Sequence, residues 1–297
     1  MKTIEFKNYH PVVNLVYFIF TIGFSCFFMH PVCLAISLLS AFVYSVIIKG
    51  GKSAGSTLAY ILPVLIFMMI INPLFNHRGI TIIWYLPSGN PITLESLIYG
   101  LAAATMIAGV ICHFSCFNEI MTSDKLVYLF GRILPSLSLI FSMTLRFVPR
   151  FSAELKSISN TQKTMGRSIT ERGIPNRIKS GLSILSIMTT KALENSIETA
   201  DSMRARGYGL RGRTAFSVFA FTKRDVVTLV WIVSIGIYTF VGGIRGQMDA
   251  LYFPAIEWAK LSLYNLSVFI SYLLLCTYPI MIELWEVIRW KSIKSKI

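Results

Sequence analysis

Charge is scarce in this chain. Of 297 residues, 14% are Asp, Glu, Lys or Arg and 54% are hydrophobic, with a mean hydropathy of +0.63. Soluble domains carry about a quarter charged residues, so an ordinary globular protein is excluded and an integral membrane protein is implied. Catalytic constellations are missing too. His10, His30, His77 and His113 have no His-Glu-x-x-His arrangement to hold zinc. Lys49-Gly50-Gly51-Lys52-Ser53 resembles the end of a phosphate-binding Walker A loop, but Val46 stands where its first glycine is needed. The chain is therefore expected to hold no nucleotide, and the turn reads as a short basic loop. Cys26, Cys33, Cys112, Cys116 and Cys276 lie in or beside apolar runs, where a thiol is a small hydrophobe and no disulfide framework is implied. The centres of those runs are nearly free of charge, which removes the handles of a proton-coupled transporter. Internal repeats and Pro-rich linkers are also missing.

Long apolar runs are what the chain does have. Six read as spanning helices, at 12–29, 32–48, 57–75, 94–117, 226–244 and 261–285. The expected fold is an all-α integral membrane protein with about six transmembrane helices. The first run follows Lys2 and Lys7 as a signal peptide would. It is long, however, and leads into His30-Pro31 with no small-x-small cleavage site, so it is read as retained. Basic residues fix the expected orientation, because Lys and Arg are held on the cytoplasmic side. With the N-terminus inside, only Arg78, Arg245 and Lys260 of the 28 basic residues fall outside. Both termini are thus expected in the cytoplasm of a multi-pass plasma-membrane protein. The same placement sets the net charge of +14 beside anionic lipid headgroups rather than nucleic acid.

Residues 118–224 form one long cytoplasmic excursion between a membrane segment, 1–117, and a second, 225–297, that ends in a basic tail. Within the excursion, 137–148 is apolar but too short to span and reads as a helix at the inner membrane face. Apolar residues recur at threes and fours from Arg150 to Thr170, and Gly166, Gly173 and Pro175 break that pattern. A second helix is expected from Asn176 to Arg206, about 45 Å long, with Gly207 as its stop. Glu194, Glu198 and Asp201 align three carboxylates on one of its faces. A cation site is one reading, and ion pairs of Lys191 with Glu194 and Asp201 with Arg204 are the simpler one. Cys112-His113-x-x-Cys116 likewise admits a metal cluster, but a buried histidine bonded to a neighbouring helix suits its spacing better.

Four segments carry a resemblance: Arg146-Phe147-Val148-Pro149, the helix around Gln162-Lys163, Lys191-Ala192-Leu193-Glu194, and Met203-Arg204-Ala205-Arg206-Gly207-Tyr208-Gly209. Together they resemble the transmembrane T component of energy-coupling factor (ECF) transporters, over about 136–216. The resemblance implies a non-catalytic scaffold whose coupling helices sit on two ABC ATPase subunits, which bind the ATP and magnesium; this chain would hold no cofactor. It implies a further partner within the bilayer, a substrate-binding S component that captures a vitamin or other micronutrient. Family members carry two Ala-Arg-Gly motifs, one per ATPase. The second matches as Ala205-Arg206-Gly207, preceded by Arg204; the first falls at Thr164-Met165-Gly166, where Met165 replaces arginine and Arg167, or else Arg172, is the substitute. The alternative is the permease of a conventional ABC transporter, with its own substrate path.

Overall fold

Proline and histidine start the first two spans. In the computed structural model, which describes residues 4–85, 90–133, 135–166, 174–210, 219–258 and 262–294, Pro11 opens α1 (Pro11–Phe27) and Pro31 opens α2 (Pro31–Lys49). Proline suits that first position, since its fixed φ is already helical and its missing N–H has no helical partner to lose. His10 and His30 precede them as caps, each accepting through Nδ1 the N–H of Val12 or Val32 at 3.3 Å. After α3 (Lys52–Phe75) and α4 (Leu94–Ile120) come α5 (Ser123–Ile133), α6 (Pro135–Thr164) and α7 (Ile174–Ala205), followed by α8 (Lys223–Ile244) and α9 (Leu263–Lys294). The chain divides into two compact units, Met1–Lys125 with Phe219–Ile297, and Leu126–Val218.

The first unit holds all six apolar runs. Five of them, α2, α3 from Thr57, α4, α8 and α9, are helices long and apolar enough to cross a membrane, while α1 is apolar but 17 residues long. Its core is largely aromatic, with Tyr17 and Phe18 of α1 and Tyr272 of α9 buried in one cluster with Val268. A polar seam crosses that core. Ser25 of α1 meets Ser37 of α2 at 2.6 Å, Ser37 meets His113 Nε2 of α4 at 3.2 Å, and Ser25 lies 3.4 Å from the Tyr272 hydroxyl of α9. His113 is thus a buried histidine bonded to a neighbouring helix, and its polar atoms are satisfied where lipid could not satisfy them. Glycine also sets a close approach between α8 and α9. At Gly242 of α8 an added Cβ would lie 2.6 Å from Val268 Cγ1 of α9.

Two short antiparallel hairpins depart from the all-α expectation: β1 (Ile82–Tyr85) with β2 (Pro91–Thr93), and β3 (Ala250–Leu251) with β4 (Glu257–Trp258). Strands this short show no alternation to read, and all four residues of β1 are exposed. Span ends shift as well, since α3 begins at Lys52 and α9 continues to Lys294.

The cap of α2 carries a pH dependence. Burial lowers the His30 pKa below its ordinary 6.5, so below that pH the unfolded chain binds a proton that the folded chain resists. Stability is then full above about pH 6.5 and falls as pH drops through it. A protonated ring would also lose the acceptor that caps Val32. The melting temperature of the purified protein should drop between pH 7.5 and pH 5.5, and His30→Asn, a cap that does not titrate, should flatten the drop. An equal drop in both proteins would overturn this assignment.

Candidate functional site

The second unit is built around α6 and α7. Residues 137–148 and 150–164 form one helix rather than two, because Pro149 lies inside α6 without ending it. Proline gives up its own N–H, but the stacked rings of Phe147 and Phe151, 5.6 Å apart, bridge it from two residues on either side. The helix α5 was not anticipated at all. At 11 residues it is too short to span, and its contiguous apolar run, Leu126–Phe130, is only five residues long.

Two contacts clasp α6 to α7. Glu154 forms an ion pair with Lys191, and Arg150 Nη2 donates to Asn195 Oδ1 at 3.3 Å. This corrects the expected pairing within α7. Among the described residues Lys191 pairs across the helices with Glu154, and neither Lys191–Glu194 nor Arg204–Asp201 forms an ion pair. An intrahelical pair contributes only about 0.2–0.5 kcal/mol, so a better-buried partner on the next helix wins, and the Glu154 side chain is 13% exposed. The order of the contacts, 150 with 195 and 154 with 191, makes the pair antiparallel.

Both helices end on a left-handed glycine. In α7 the Tyr208 N–H reaches the Met203 carbonyl at 3.0 Å and the Gly207 N–H reaches the Arg204 carbonyl at 2.8 Å. That paired closure is the Schellman motif, and it requires a left-handed residue just past the helix. Gly207 supplies it at φ +77°, a conformation that a side chain would strain. In α6 the Gly166 N–H reaches the Lys163 carbonyl at 3.1 Å, with Gly166 at φ +74°. Met165 therefore occupies on α6 the place that Arg206 occupies on α7, the last residue before the glycine. Both are exposed, Met165 by 71%, as are Thr164, Arg204 and Ala205. Arg167 and Arg172 lie outside the described residues.

The two ends are placed evenly. Each lies about 20 Å along its own helix from the middle of the clasp, and the antiparallel arrangement sends them in opposite directions. Sequence reading missed the clasp itself. Its only signal was a charge of each sign, Glu154 and Lys191, at similar distances from the two glycine stops. On the N-terminal side of the clasp each helix leaves apolar side chains uncovered, among them Phe141, Leu145 and Val148 on α6 and Ile178, Leu182 and Leu185 on α7.

Curated relatives share the name energy-coupling factor transporter transmembrane protein EcfT. The Staphylococcus aureus protein is 28% identical over 189 residues, covering 60% of this chain and 69% of its own length. The Streptococcus thermophilus protein is 24% identical over 188 residues, 60% of this chain and 70% of its own. That of Lactobacillus helveticus is 33% identical over a shorter 98 residues, 33% and 35% of the two lengths. The profile of the family described as cobalt transport protein, CbiQ, matches residues 6–218, well over half of the sequence, and the chain belongs to that family.

Proposed function

We propose that this chain is the non-catalytic transmembrane scaffold of an ATP-driven ECF importer. In this reading α6 and α7 are coupling helices, each cap docks on one ABC ATPase subunit, and the ATPases bind ATP and magnesium. A separate S component in the membrane binds the cargo, a vitamin or other micronutrient, and both termini, with α1 as the sixth span, lie on the cytoplasmic side. One observation carries the reading: two like-capped helix ends, exposed and evenly placed about one clasp, suit a pair of similar partners. The names of the relatives supply the class of transporter. Uncovered apolar faces on the same helices give a membrane partner something to rest on, since patches of that kind mark interaction surfaces.

The test is purification of the tagged chain from its native membrane in mild detergent, with mass spectrometry of what accompanies it. Two ABC ATPase chains and one small additional membrane protein are expected. Recovery of the ATPases alone would favour the conventional permease, and recovery of neither would sink the scaffold.

A further inference from the structure

The N-terminal segment ahead of α1 is held by charged groups drawn from three other parts of the first unit. Residues Glu5–Asn8 form a single 3-10 turn. Its Phe6 is fully buried, with the ring 5.3 Å from that of Tyr17, and the Phe6 N–H donates to Glu283 Oε1 of α9 at 3.1 Å. Lys125, in the first turn of α5 and only 4% exposed, donates through Nζ to the Lys7 carbonyl. With its amide turned to the orientation that pairs both of its polar atoms, Asn14 completes that contact, donating to the Phe6 carbonyl at 3.1 Å and accepting from Lys125 Nζ at 2.7 Å. Asp225, in the first turn of α8, accepts the His10 N–H through Oδ1 at 3.1 Å. Beside it, the Arg224 guanidinium lies 4.2 Å over the Tyr9 ring and 3.8 Å from the Glu5 carboxylate. The His10 ring meets Phe221 at 4.6 Å.

Lys125 and residues 221–225 mark the two places where the chain leaves the membrane bundle and returns to it. Lys125 is the last residue of the first unit before the excursion, and Phe219 is the first after it. Six residues therefore bind both roots of the excursion and the end of α9 at once. We propose that Glu5–His10 is a strap that anchors both roots of the α5–α7 segment to the spans, making Lys125 and Asp225 positioning residues for coupling. The transmitting role rests on the scaffold reading; the anchoring does not. Its chemistry suits a fixed joint. Charge-assisted bonds such as those to Asp225 and Glu283 are about twice as strong as neutral ones, and they tie backbone rather than flexible side chains.

The test is hydrogen–deuterium exchange on the chain purified with its ATPases in lipid nanodiscs, comparing Mg-ATP with ADP. In Asp225→Asn and Lys125→Met, amides of residues 4–13 should exchange about tenfold faster, the order expected when a buried charged partner is lost. The nucleotide-dependent difference in α1 and α9, present in the parent, should disappear. Asp225 also caps α8 with Thr222, whose N–H and hydroxyl reach Oδ2 at 2.9 and 2.6 Å. Thr222→Ala separates the two roles, since it removes the hydroxyl of the cap and spares the His10 bond; it should leave 4–13 protected. Arg224→Ala, at a half-exposed side chain, is the mild variant should the others disturb exchange in α2 and α4, and it should loosen 4–13 partially and shrink the nucleotide signal in proportion. Unchanged protection of 4–13 would overturn the strap. So would a nucleotide signal that persists once 4–13 is freed. A parent chain that retains no ATPase would instead sink the scaffold reading and the transmitting role, while exchange at 4–13 would still decide the anchoring.

Discussion

On the scaffold reading, replacing Arg206 with alanine should weaken retention of the ATPase subunits by about 2–5 kcal/mol, the range for truncating one partner of a buried charge pair at an interface. A tagged chain purified under conditions that keep the proposed ATPases bound to the parent should then lose most of them. Three features make the effect large and local. Arg206 is the last residue before the glycine turn, where the helix no longer covers it. Its planar guanidinium offers five donors in a fixed fork, suited to carboxylates or to exposed carbonyls at the end of a partner's helix. Within this chain it makes no ion pair among the described residues, so its loss costs the fold little beyond the ~0.3–1 kcal/mol of a cation near a helix C-terminus. Melting temperature should therefore stay close to that of the parent while association collapses. Met165→Ala should cost less, because an apolar contact at the matching cap loses area and leaves no unpaired charge behind. Retention of the ATPases at parental levels in Arg206→Ala would remove this end of α7 from the interface.

Gly242→Ala should be the most damaging single methyl in the spans. Its Cβ would sit 2.6 and 2.7 Å from the two γ carbons of Val268 and 3.2 Å from its Cβ. Val268 is fully buried and β-branched, so it has little rotamer freedom with which to retreat. The helices must separate instead, at a cost of about 1–3 kcal/mol or more for overpacking. A fall of several degrees in the melting temperature is expected, and Val268→Ala introduced in the same chain should recover part of it. Independent, additive losses from the two substitutions would show that the contact between α8 and α9 is not the cause. Gly243 offers a softer comparison, since its nearest neighbours are the outer ring atoms of Phe28.

What could be read from sequence was whatever has a long period or a large apolar mass. The spans were legible because eighteen or so apolar residues leave few alternatives. Both glycine stops were legible because φ values near +75° exclude most other residues. That each cap turns on a left-handed glycine also follows from spacing, with Met165 and Arg206 each one residue before it. Short-range reading failed where tertiary partners decide. Residues 137–148 read as a separate helix at the membrane face because they are apolar and too few to span, yet α6 continues from them through Pro149. Lys191 looked committed to Glu194 because that residue is adjacent on the helix surface, whereas Glu154 came from 37 positions away. The bonds that hold Glu5–His10 were beyond sequence altogether. They join an apparently ordinary polar leader to residues 118, 215 and 277 positions distant.

The even spacing of the two caps about the Glu154–Lys191 clasp has a mechanical consequence. Fastened to each other at the middle, the two helices carry their caps as one body with equal arms, a balance in which any tilt about the clasp moves the caps by similar amounts in opposite directions. Such a balance has a gear ratio near one. It would respond to two partners pushing in concert differently from one pushing alone, cancelling rotation in the first case and tilting in the second.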